Sequence, residues 1–535
     1  MPHSDHFYQF EKIKISKELL LNAFLIPASL LAGFLFWWAT AVHGIGIRTD
    51  SVTYLWVAES LAKGIGFGIM DAFGHFRPIN HWPPLYSLIL SIFVWLSALV
   101  NPPVSAEQVS RVLGFLLTSA NVYIFGLLTA KISHKSFLFV VGGVIVLLSS
   151  PIFWETYLYA MSEPLFIFFS LLAVYYFMEY TRTFSNQAIF WAGLAAGLSL
   201  FTRYVGIFLF LVMGVSIFFY MRRPLKQKIR ALAQILAIGL LPIFLWSLRN
   251  FSATGSPTNR RLVFIPITSA EWDMLLASLA DWFGPLIKMF KIIPLGLAIL
   301  LAFCLLIASL FIYYKKRVYG NNESQEMRWK ILVACILSYS FFLVFSRLFF
   351  DSSIPLEESR MFFPIYLGLI LLVISLLSNA RDLKYVVLGK YVFLAAFGVM
   401  FVFGGLFAGI SVQKTTSFLL SSRNNGLSLN STGFKNRPVW LALRELVVDA
   451  RDPVYFSDNV EKLYWANKTP SAILTGIDES LVALFQPTLM EHDIIIVLID
   501  NPGESANVYQ YLPAAKKFYK DTDGAIFIIH NTDNN

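Results

Sequence analysis

The chain has 535 residues, of which 57% are hydrophobic and 14% are charged, against about 25% charged in a typical soluble protein. This composition excludes a water-soluble protein, because apolar stretches of about 20 residues, each long enough to cross a bilayer, recur along most of the length. The net charge of +9 does not indicate nucleic-acid binding, since the Lys and Arg residues cluster in short loops between apolar runs. The sequence therefore predicts a protein embedded in membrane lipids that binds no nucleic acid.

About eleven apolar runs are predicted to be membrane-spanning helices, because lipid offers no partner to an unpaired backbone amide. The predicted fold is an all-α polytopic membrane protein. The first run is too long for a signal-peptide core and lacks a small-residue cleavage site, so it is interpreted as a retained span. The runs lie near 19–42, 110–130, 137–154, 162–178, 188–202, 204–221, 231–248, 290–314, 331–348, 362–378 and 391–411.

A further apolar run, 83–100, is either a span or a helix lying along the interface. The basic loops favour the interface. If the N-terminus is cytoplasmic and 83–100 does not cross, every strongly basic loop falls on the cytoplasmic side, as the positive-inside rule requires. If 83–100 crosses, the later basic loops fall outside.

This topology divides the chain into a transmembrane domain, residues 1–411, and a small extracytoplasmic α/β domain, residues 412–535. The outer side also receives the first outer loop, residues 43–109. In the C-terminal part, apolar runs bounded by polar residues predict two strands, with helices placed between them. The strands are predicted at 453–458 and 493–500, and the helices at Leu441–Ala450 and Val460–Asn467.

The first outer loop carries the clearest candidate for chemistry. From Ser51 to Lys63 apolar residues recur at helical spacing, which predicts a short amphipathic helix on the membrane surface. Asp50 is predicted at its N-cap, where a carboxylate accepts orphan amide protons. Asp50 is therefore either a helix cap or a functional carboxylate that takes a proton from an attacking hydroxyl or amine, or binds a metal.

A second acidic position, Glu163, stands at a predicted helix start marked by Ser162 and Pro164. An acidic residue in the first turn is favoured by the helix macrodipole, so a purely structural role for Glu163 is also open. The predicted topology places Glu163 on the same side of the membrane as Asp50.

Arginines complete the set of charged residues on the outer side. An arginine at the end of a span is often an anchor for lipid headgroups, but several that converge on one cavity form a site for an anion, because guanidinium binds phosphate with two hydrogen bonds. The predicted donors to such an anion are Arg203, Arg249, Arg260 and Arg360.

These residues lie in motifs that resemble a known family. Asp50 precedes Tyr54-Leu-x-x-Ala-x-x-Leu-Ala-x-Gly64, and His81-Trp-Pro-Pro-Leu-Tyr86 follows. Together with Ser162-Glu-Pro-Leu-Phe166 and Phe201-Thr-Arg-Tyr204, they resemble the membrane glycosyltransferases of the GT-C fold. Within that fold, the chain is most similar to the superfamily containing the dolichyl-phosphate-mannose protein mannosyltransferases and the bacterial aminoarabinose transferases.

The resemblance implies transfer of a sugar from a polyprenyl-phosphate donor to a lipid, glycan or protein acceptor on the extracytoplasmic face, usually with inversion. It implies a bacterial inner-membrane protein with Asp50 as the principal catalytic carboxylate. Glu163 is implied as a supporting acid, and the two carboxylates as candidate ligands of a divalent metal ion. Tyr54 and His81 join the four arginines as predicted ligands of the donor phosphate or sugar.

Two other interpretations of the sequence are open. A transporter or lipid flippase would carry ionisable residues near the middle of its spans and show internal repeats, whereas the predicted span centres are nearly free of charge. An inactive relative acting as a scaffold is the other, because Ser51 stands where many relatives carry a second acid. Asp521-Thr-Asp523 has the form of a nucleotide-sugar motif but lies between two strand-like runs, which predicts a turn.

Overall fold

The computed structural model describes residues 16–99, 102–282, 323–351, 358–380, 409–449, 452–474, 485 and 487–530. Helices dominate these residues, and the sheet structure is confined to one hairpin in the first outer loop and one sheet near the C-terminus. The helices and helical turns are Lys17–Ala39, Thr49–Ala62, Leu85–Ser97, Ala106–Ile132, Phe137–Leu148, Pro151–Tyr157, Glu163–Thr183, Asn186–Thr202, Tyr204–Ile207, Phe208–Val215, Ser216–Tyr220, Leu225–Thr254, Ser269–Trp282, Glu323–Phe349, Ser359–Phe362, Phe363–Ala380, 409–425, Thr432–Lys435, Pro438–Asp449, Val460–Asn467, Pro502–Glu504 and Ser505–Tyr511.

Among the described residues, 6 helices are long and apolar enough to cross a membrane. A seventh span results if the helices Phe137–Leu148 and Pro151–Tyr157, which meet at 65°, are counted as one broken span. Pro151 stands at the first turn of the second helix, where its missing amide costs nothing. The 6 are Lys17–Ala39, Ala106–Ile132, Glu163–Thr183, Leu225–Thr254, Met327–Phe349 and Ser359–Ser378.

Four of the eleven predicted spans are not among these seven. The run 188–202 forms a helix of 17 residues, Asn186–Thr202, and the run 204–221 forms a shorter apolar segment, Tyr204–Tyr220. The predicted span 290–314 lies outside the described residues, and so does all but the last part of 391–411. The count of eleven therefore stays a prediction, while the polytopic helical fold is confirmed.

The run 83–100 contains a helix of 13 residues, Leu85–Ser97. At 1.5 Å per residue this helix is about 20 Å long, which is less than the roughly 30 Å thickness of the hydrocarbon layer. Its length agrees with the interfacial position that the basic loops favoured.

Small residues set the closest helix contact. A Cβ atom added at Gly197 would lie 2.5 Å from the backbone oxygen of Gly239, so the helices Asn186–Thr202 and Leu225–Thr254 touch backbone to backbone. Membrane helices depend on such close packing, because lipid is as apolar as their side chains and supplies no hydrophobic driving force.

The C-terminal part contains a five-stranded sheet accompanied by helices, so strands occur where the sequence predicted two, at 453–458 and 493–500, and three further strands join them. The strand Val454–Ser457 pairs in parallel with Ala472–Ile473 and with Ile494–Leu498. The strand Gly524–Ile529 pairs antiparallel with Ile494–Leu498 and with Lys516–Asp521. Asp521-Thr-Asp523 forms the turn between the last two strands of the chain, and the Asp523 carboxylate accepts a hydrogen bond from the Val439 amide at 3.0 Å. The strand order in the sheet is Ala472–Ile473, Val454–Ser457, Ile494–Leu498, Gly524–Ile529, Lys516–Asp521.

The helix of the first outer loop, Thr49–Ala62, is called the loop helix here. Its existence was predicted, but the prediction that it lies amphipathically on the membrane surface is wrong. Residues 51–58 are buried without interruption, because the helix packs against Leu85–Ser97 on one side and against the C-terminal helix Val460–Asn467 on another. A helix covered on several faces needs no polar face.

Candidate functional site

The loop helix begins in a way that leaves Asp50 free of a capping role. Its N-cap is Arg48, and the hydroxyl of Ser51 accepts a hydrogen bond from the Arg48 amide at 3.0 Å. Asp50 is the second residue of the helix, so its prediction as the N-cap is wrong. The Ser51 hydroxyl serves the helix start and also contacts the Met161 sulfur at 3.1 Å.

The Asp50 carboxylate forms no hydrogen bond or ion pair with any other residue in the described ranges, and its side chain is half-buried. Burial raises its pKa, because a charged carboxylate is disfavoured away from water. The Arg360 charge opposes this effect and the Glu163 charge reinforces it. A partly desolvated carboxylate without a partner is suited to accept a proton.

Beside Asp50, five side chains form a row of alternating charges, called the charge chain here. Glu163 lies between the first two arginines of the row, and its Oε1 is 2.9 Å from Nη1 of Arg203 and 2.6 Å from Nη1 of Arg360. Arg360 also pairs through Nε with Glu358. Glu358 then pairs with Arg48 across 2.9 Å.

The charge chain is buried at Glu163 and Arg360, partly exposed at its other members, and carries a surplus of positive charge. Glu163 and Arg360 are 4% and 5% exposed, so each requires the other, since a buried ion without its partner costs several kcal/mol. Three guanidinium groups and two carboxylates leave a charge of +1, and Asp50 is the carboxylate that balances it. The second carboxylate oxygen of Glu163, Oε2, is buried and has no hydrogen-bond partner.

Tyr54 links the loop helix to the charge chain. Its hydroxyl and the Ser162 hydroxyl are 3.1 Å apart, and Arg203 donates to the same Ser162 oxygen at 3.2 Å. The ring of Tyr54 lies 5.3 Å from the rings of both Trp82 and Tyr86. Burial raises the pKa of Tyr54, so the phenol stays protonated.

His81 and Arg260 form a second polar group near Tyr54. His81 hydrogen-bonds through Nδ1 with Asn259, and burial together with the Arg260 charge lowers its pKa, which keeps the ring neutral. The guanidinium of Arg260 has no hydrogen bond or ion-pair partner within the described part of the chain, and its Nε is buried. Tyr54 is within electrostatic reach of both Asp50 and Arg260.

The structure gives Arg249 a different environment from the other three arginines. It donates to the backbone oxygens of Ile79 at 2.9 Å and Phe67 at 2.8 Å. Its guanidinium therefore holds the first outer loop against the span Leu225–Thr254.

Sequence reasoning missed two members of the charge chain, Arg48 and Glu358. Both stand two residues away from a candidate that was recognised, Asp50 and Arg360 respectively. Their closeness in sequence to recognised candidates was a signal. Only the fold shows that the segment of Arg48 meets the segment of Glu358.

One cavity adjoins the charge chain, and a second cavity lies beside the first. The first, a polar cavity of about 290 Å³, is lined by three residues of the charge chain. The second is an apolar groove of about 440 Å³ that runs along the first span. The two spaces are neighbours, because residues adjacent in sequence line one and the other. Trp154 and Leu419 line the groove, and the adjacent residues Glu155 and Phe418 line the polar cavity. The polar cavity is lined by Arg48, Glu155, Tyr159, Glu358, Ser359, Arg360 and Phe418.

The residues present do not fit a metal ion. Glu163 already shares one oxygen between two guanidinium groups. These two cations would repel a metal ion bound to the same carboxylate. Among the described residues, no group of three or more His, Cys, Asp or Glu side chains is placed to hold a metal.

Comparison with known proteins places the fold. The model of the dolichyl-phosphate-mannose-protein mannosyltransferase family matches residues 83–253. The structure of ArnT from Cupriavidus metallidurans is similar, with a TM-score of 0.55 and 13% identity over 95% of this chain and 98% of that one. The arabinofuranosyltransferase AftD from Mycobacteria has a TM-score of 0.52 and 12% identity, over 96% of this chain and 40% of AftD.

No curated protein matches the sequence. The family match covers the segments that carry Glu163 and Arg203, and the fold match extends over nearly the whole chain. The chain is therefore an integral membrane protein of the GT-C fold, and its residues 83–253 are similar to the dolichyl-phosphate-mannose-protein mannosyltransferase family.

Proposed function

We propose that this protein transfers a sugar from a polyprenyl-phosphate donor to an acceptor on the extracytoplasmic face of the membrane, with Asp50 as the general base. The observation that carries the proposal is the unpaired Asp50 carboxylate, with a raised pKa, beside a buried chain of arginines. General bases work best when their pKa approaches the working pH. A helix cap or an ion-pair partner would have no need of such an environment.

The cations in the site favour a phosphate-bearing donor. With Asp50 ionised, the charge chain is balanced, and Arg260 adds a positive charge that forms no ion pair among the described residues, although the Asp351 carboxylate acts on it electrostatically. A guanidinium in this state gives strong charge-assisted hydrogen bonds to a phosphate. His81, whose pKa is lowered, supplies a neutral ring that can form hydrogen bonds with the donor.

The neighbouring cavities favour a donor that is part lipid. The polar cavity is the right kind of space for hydroxyl-rich and charged groups, and the apolar groove beside it is lined by the first span and the helix 409–425. A polyprenyl-phosphate sugar has both parts, a long hydrocarbon chain and a polar head.

The reaction follows from these positions. The acceptor oxygen or nitrogen attacks C1 of the sugar, its proton passes to Asp50, and the bond between C1 and the phosphate oxygen breaks. The polyprenyl phosphate leaves with the electron pair, and Arg260 stabilises the charge that develops on it. A single displacement of this kind inverts the configuration at C1.

The other members of the site have supporting roles. Arg203 and Arg360 hold Glu163, and the chain as a whole fixes the Asp50 end of the loop helix through Arg48. Tyr54 ties that helix to Ser162. Arg249 keeps the first outer loop in place.

The transporter and scaffold interpretations have less support. Glu163 is the first residue of its span, and Arg360 lies in the turn that begins another, so the charges gather at span ends rather than at the membrane midplane. The absence of a second acid at position 51 has a structural reason, because the Ser51 hydroxyl caps the loop helix. A scaffold has no use for an unpaired, partly buried carboxylate.

Replacing Arg260 by alanine tests the donor site. The loss of one charged hydrogen bond, worth about 1.5–3 kcal/mol, is expected to raise the donor KM by about tenfold to a hundredfold. Thermal unfolding should be unchanged, because the guanidinium has no protein partner. The matched control is Arg261→Ala, which removes the exposed neighbouring side chain; equal effects of the two variants would contradict the assignment.

The dependence of activity on pH tests Asp50 as the base. Asp50 acts only when deprotonated, and burial raises its pKa above the 3.8 of an ordinary aspartate. Activity should therefore fall as the pH falls through this raised pKa. The same acid limb is expected in the variant His81→Gln; a limb at the ordinary aspartate value, or one that disappears with His81, would contradict the role of Asp50.

The proposal is tested by transfer of radiolabelled mannose, glucose or aminoarabinose from polyprenyl-phosphate donors to material in native membranes that contain the protein. Labelling above that of membranes without the protein is expected with at least one donor. Labelling with none of them would contradict the proposed function.

A further inference from the structure

The C-terminal domain is fastened to the first outer loop at two places. Its helix Val460–Asn467, called the roof helix here, packs along the loop helix, and the rings of Trp56 and Tyr464 are stacked with centroids 3.6 Å apart and planes within 5°. At the second place, Phe73 lies between the two hairpin strands of the first outer loop, Gly68–Met70 and Phe76–Pro78. Its ring centroid is 6.1 Å from that of Phe456 in the C-terminal sheet. The domain therefore covers the outer side of the helix that carries Asp50.

This arrangement brings one acidic side chain of the domain towards the site. Glu461 lies one helical turn before Tyr464, the residue that stacks on the loop helix. Burial raises the pKa of Glu461, and the charge of Asp50 raises it further, so the two carboxylates are close enough to act on each other.

Glu461 has no partner of its own. Its carboxylate forms no hydrogen bond or ion pair with any other described residue, although one lysine lies in the roof helix and another follows directly after it. Lys462 is paired with Asp500, and the Lys468 ammonium lies 3.7 Å from the centre of the Trp465 ring. Both cations are thus engaged elsewhere, and the two packed helices carry Asp50 and Glu461 as carboxylates that are unpaired among the described residues.

Such a pair costs free energy, since like charges repel and each group is partly desolvated. A bound molecule that donates hydrogen bonds to both carboxylates would offset this cost. The donor of the sugar brings an anionic phosphate, which two carboxylates repel. An acceptor with hydroxyl or amino groups brings the hydrogen-bond donors that they lack.

We propose that Glu461 is an acceptor-binding residue of the same site: it accepts a hydrogen bond from a hydroxyl or ammonium group of the acceptor and orients the nucleophile towards Asp50. This inference rests on the proposed transferase function. It makes the C-terminal domain a wall of the active site that selects the acceptor.

The test uses the purified full chain in liposomes with a radiolabelled polyprenyl-phosphate sugar. Two rates are measured: hydrolysis of the donor by water alone, and transfer as a function of added detergent extract of host membranes, which supplies the acceptor. The variant Glu461→Gln keeps the size of the side chain and loses its charge. The control Glu504→Gln removes a carboxylate elsewhere on the same domain, one that accepts a hydrogen bond from Asn507.

For Glu461→Gln we expect the amount of extract needed for half-maximal transfer to rise about tenfold or more, with donor hydrolysis and thermal unfolding unchanged. An unchanged requirement for extract would overturn the inference. So would a parallel loss of hydrolysis and transfer, because Glu461 would then only hold the loop helix. These outcomes differ from failure of the proposed function itself, in which the wild-type chain neither hydrolyses nor transfers the sugar.

Discussion

Glu163→Gln is expected to lower the free energy of unfolding by about 3–5 kcal/mol, the typical cost of removing one partner from a buried ion pair. Glutamine fills the same volume but leaves Arg203 and Arg360 facing each other without the carboxylate that both now bind. Sugar transfer should fall as well, because the repelled arginines no longer fix the end of the loop helix. Thermal unfolding of the purified protein in detergent measures the first effect.

A second variant separates the charge effect from a general loss of packing. In Glu163→Gln with Arg203→Gln, one of the two stranded cations is removed, and Arg360 keeps its pairing with Glu358. The double variant should be more stable than Glu163→Gln alone. If it is less stable, the charge chain is not what makes Glu163 important.

Asp50→Asn is expected to reduce sugar transfer by about 10²–10⁴-fold, the usual contribution of a general base. Stability should be unchanged or slightly raised, since the carboxylate has no partner among the described residues and burial disfavours its charge. The measurement is transfer from a polyprenyl-phosphate donor, with thermal unfolding recorded on the same preparation.

Glu59→Gln is the matched control, because Glu59 lies nine residues further along the same helix and is also half-buried. It should retain transfer close to that of the wild type. Full activity in Asp50→Asn, or a loss that is accompanied by unfolding, would contradict Asp50 as the base.

The sequence predicted the parts of this fold that depend on composition and periodicity. Seven of the eleven predicted runs became membrane-length helices, one of them broken in two, and the two strands predicted at 453–458 and 493–500 lie in the C-terminal sheet. These features are local, because a span needs about 20 apolar residues in a row and a strand needs only its neighbours.

What the sequence could not predict depends on contacts between distant segments. The burial of the loop helix under the roof helix joins residues about 400 positions apart in the chain, and it explains why the amphipathic surface helix was a wrong prediction. Arg48 took the N-cap position that had been expected of Asp50. The capping preference of aspartate is real, but it did not decide this helix.

The candidate site shows the same division. Asp50, Glu163, Arg203 and Arg360 were recognised from motifs and are brought together within one charged network. Their roles stay predictions that the variants above test.

The measurement that tests the central claim most directly is a product balance with the wild-type protein in sealed liposomes. A polyprenyl-phosphate donor with radiolabel in the sugar is supplied together with a detergent-free extract of host membranes. The proposed function predicts that polyprenyl phosphate is released in the same molar amount as sugar appears on the acceptor. Donor that crosses the membrane unchanged, with neither product formed, would contradict the transferase and establish transport in its place.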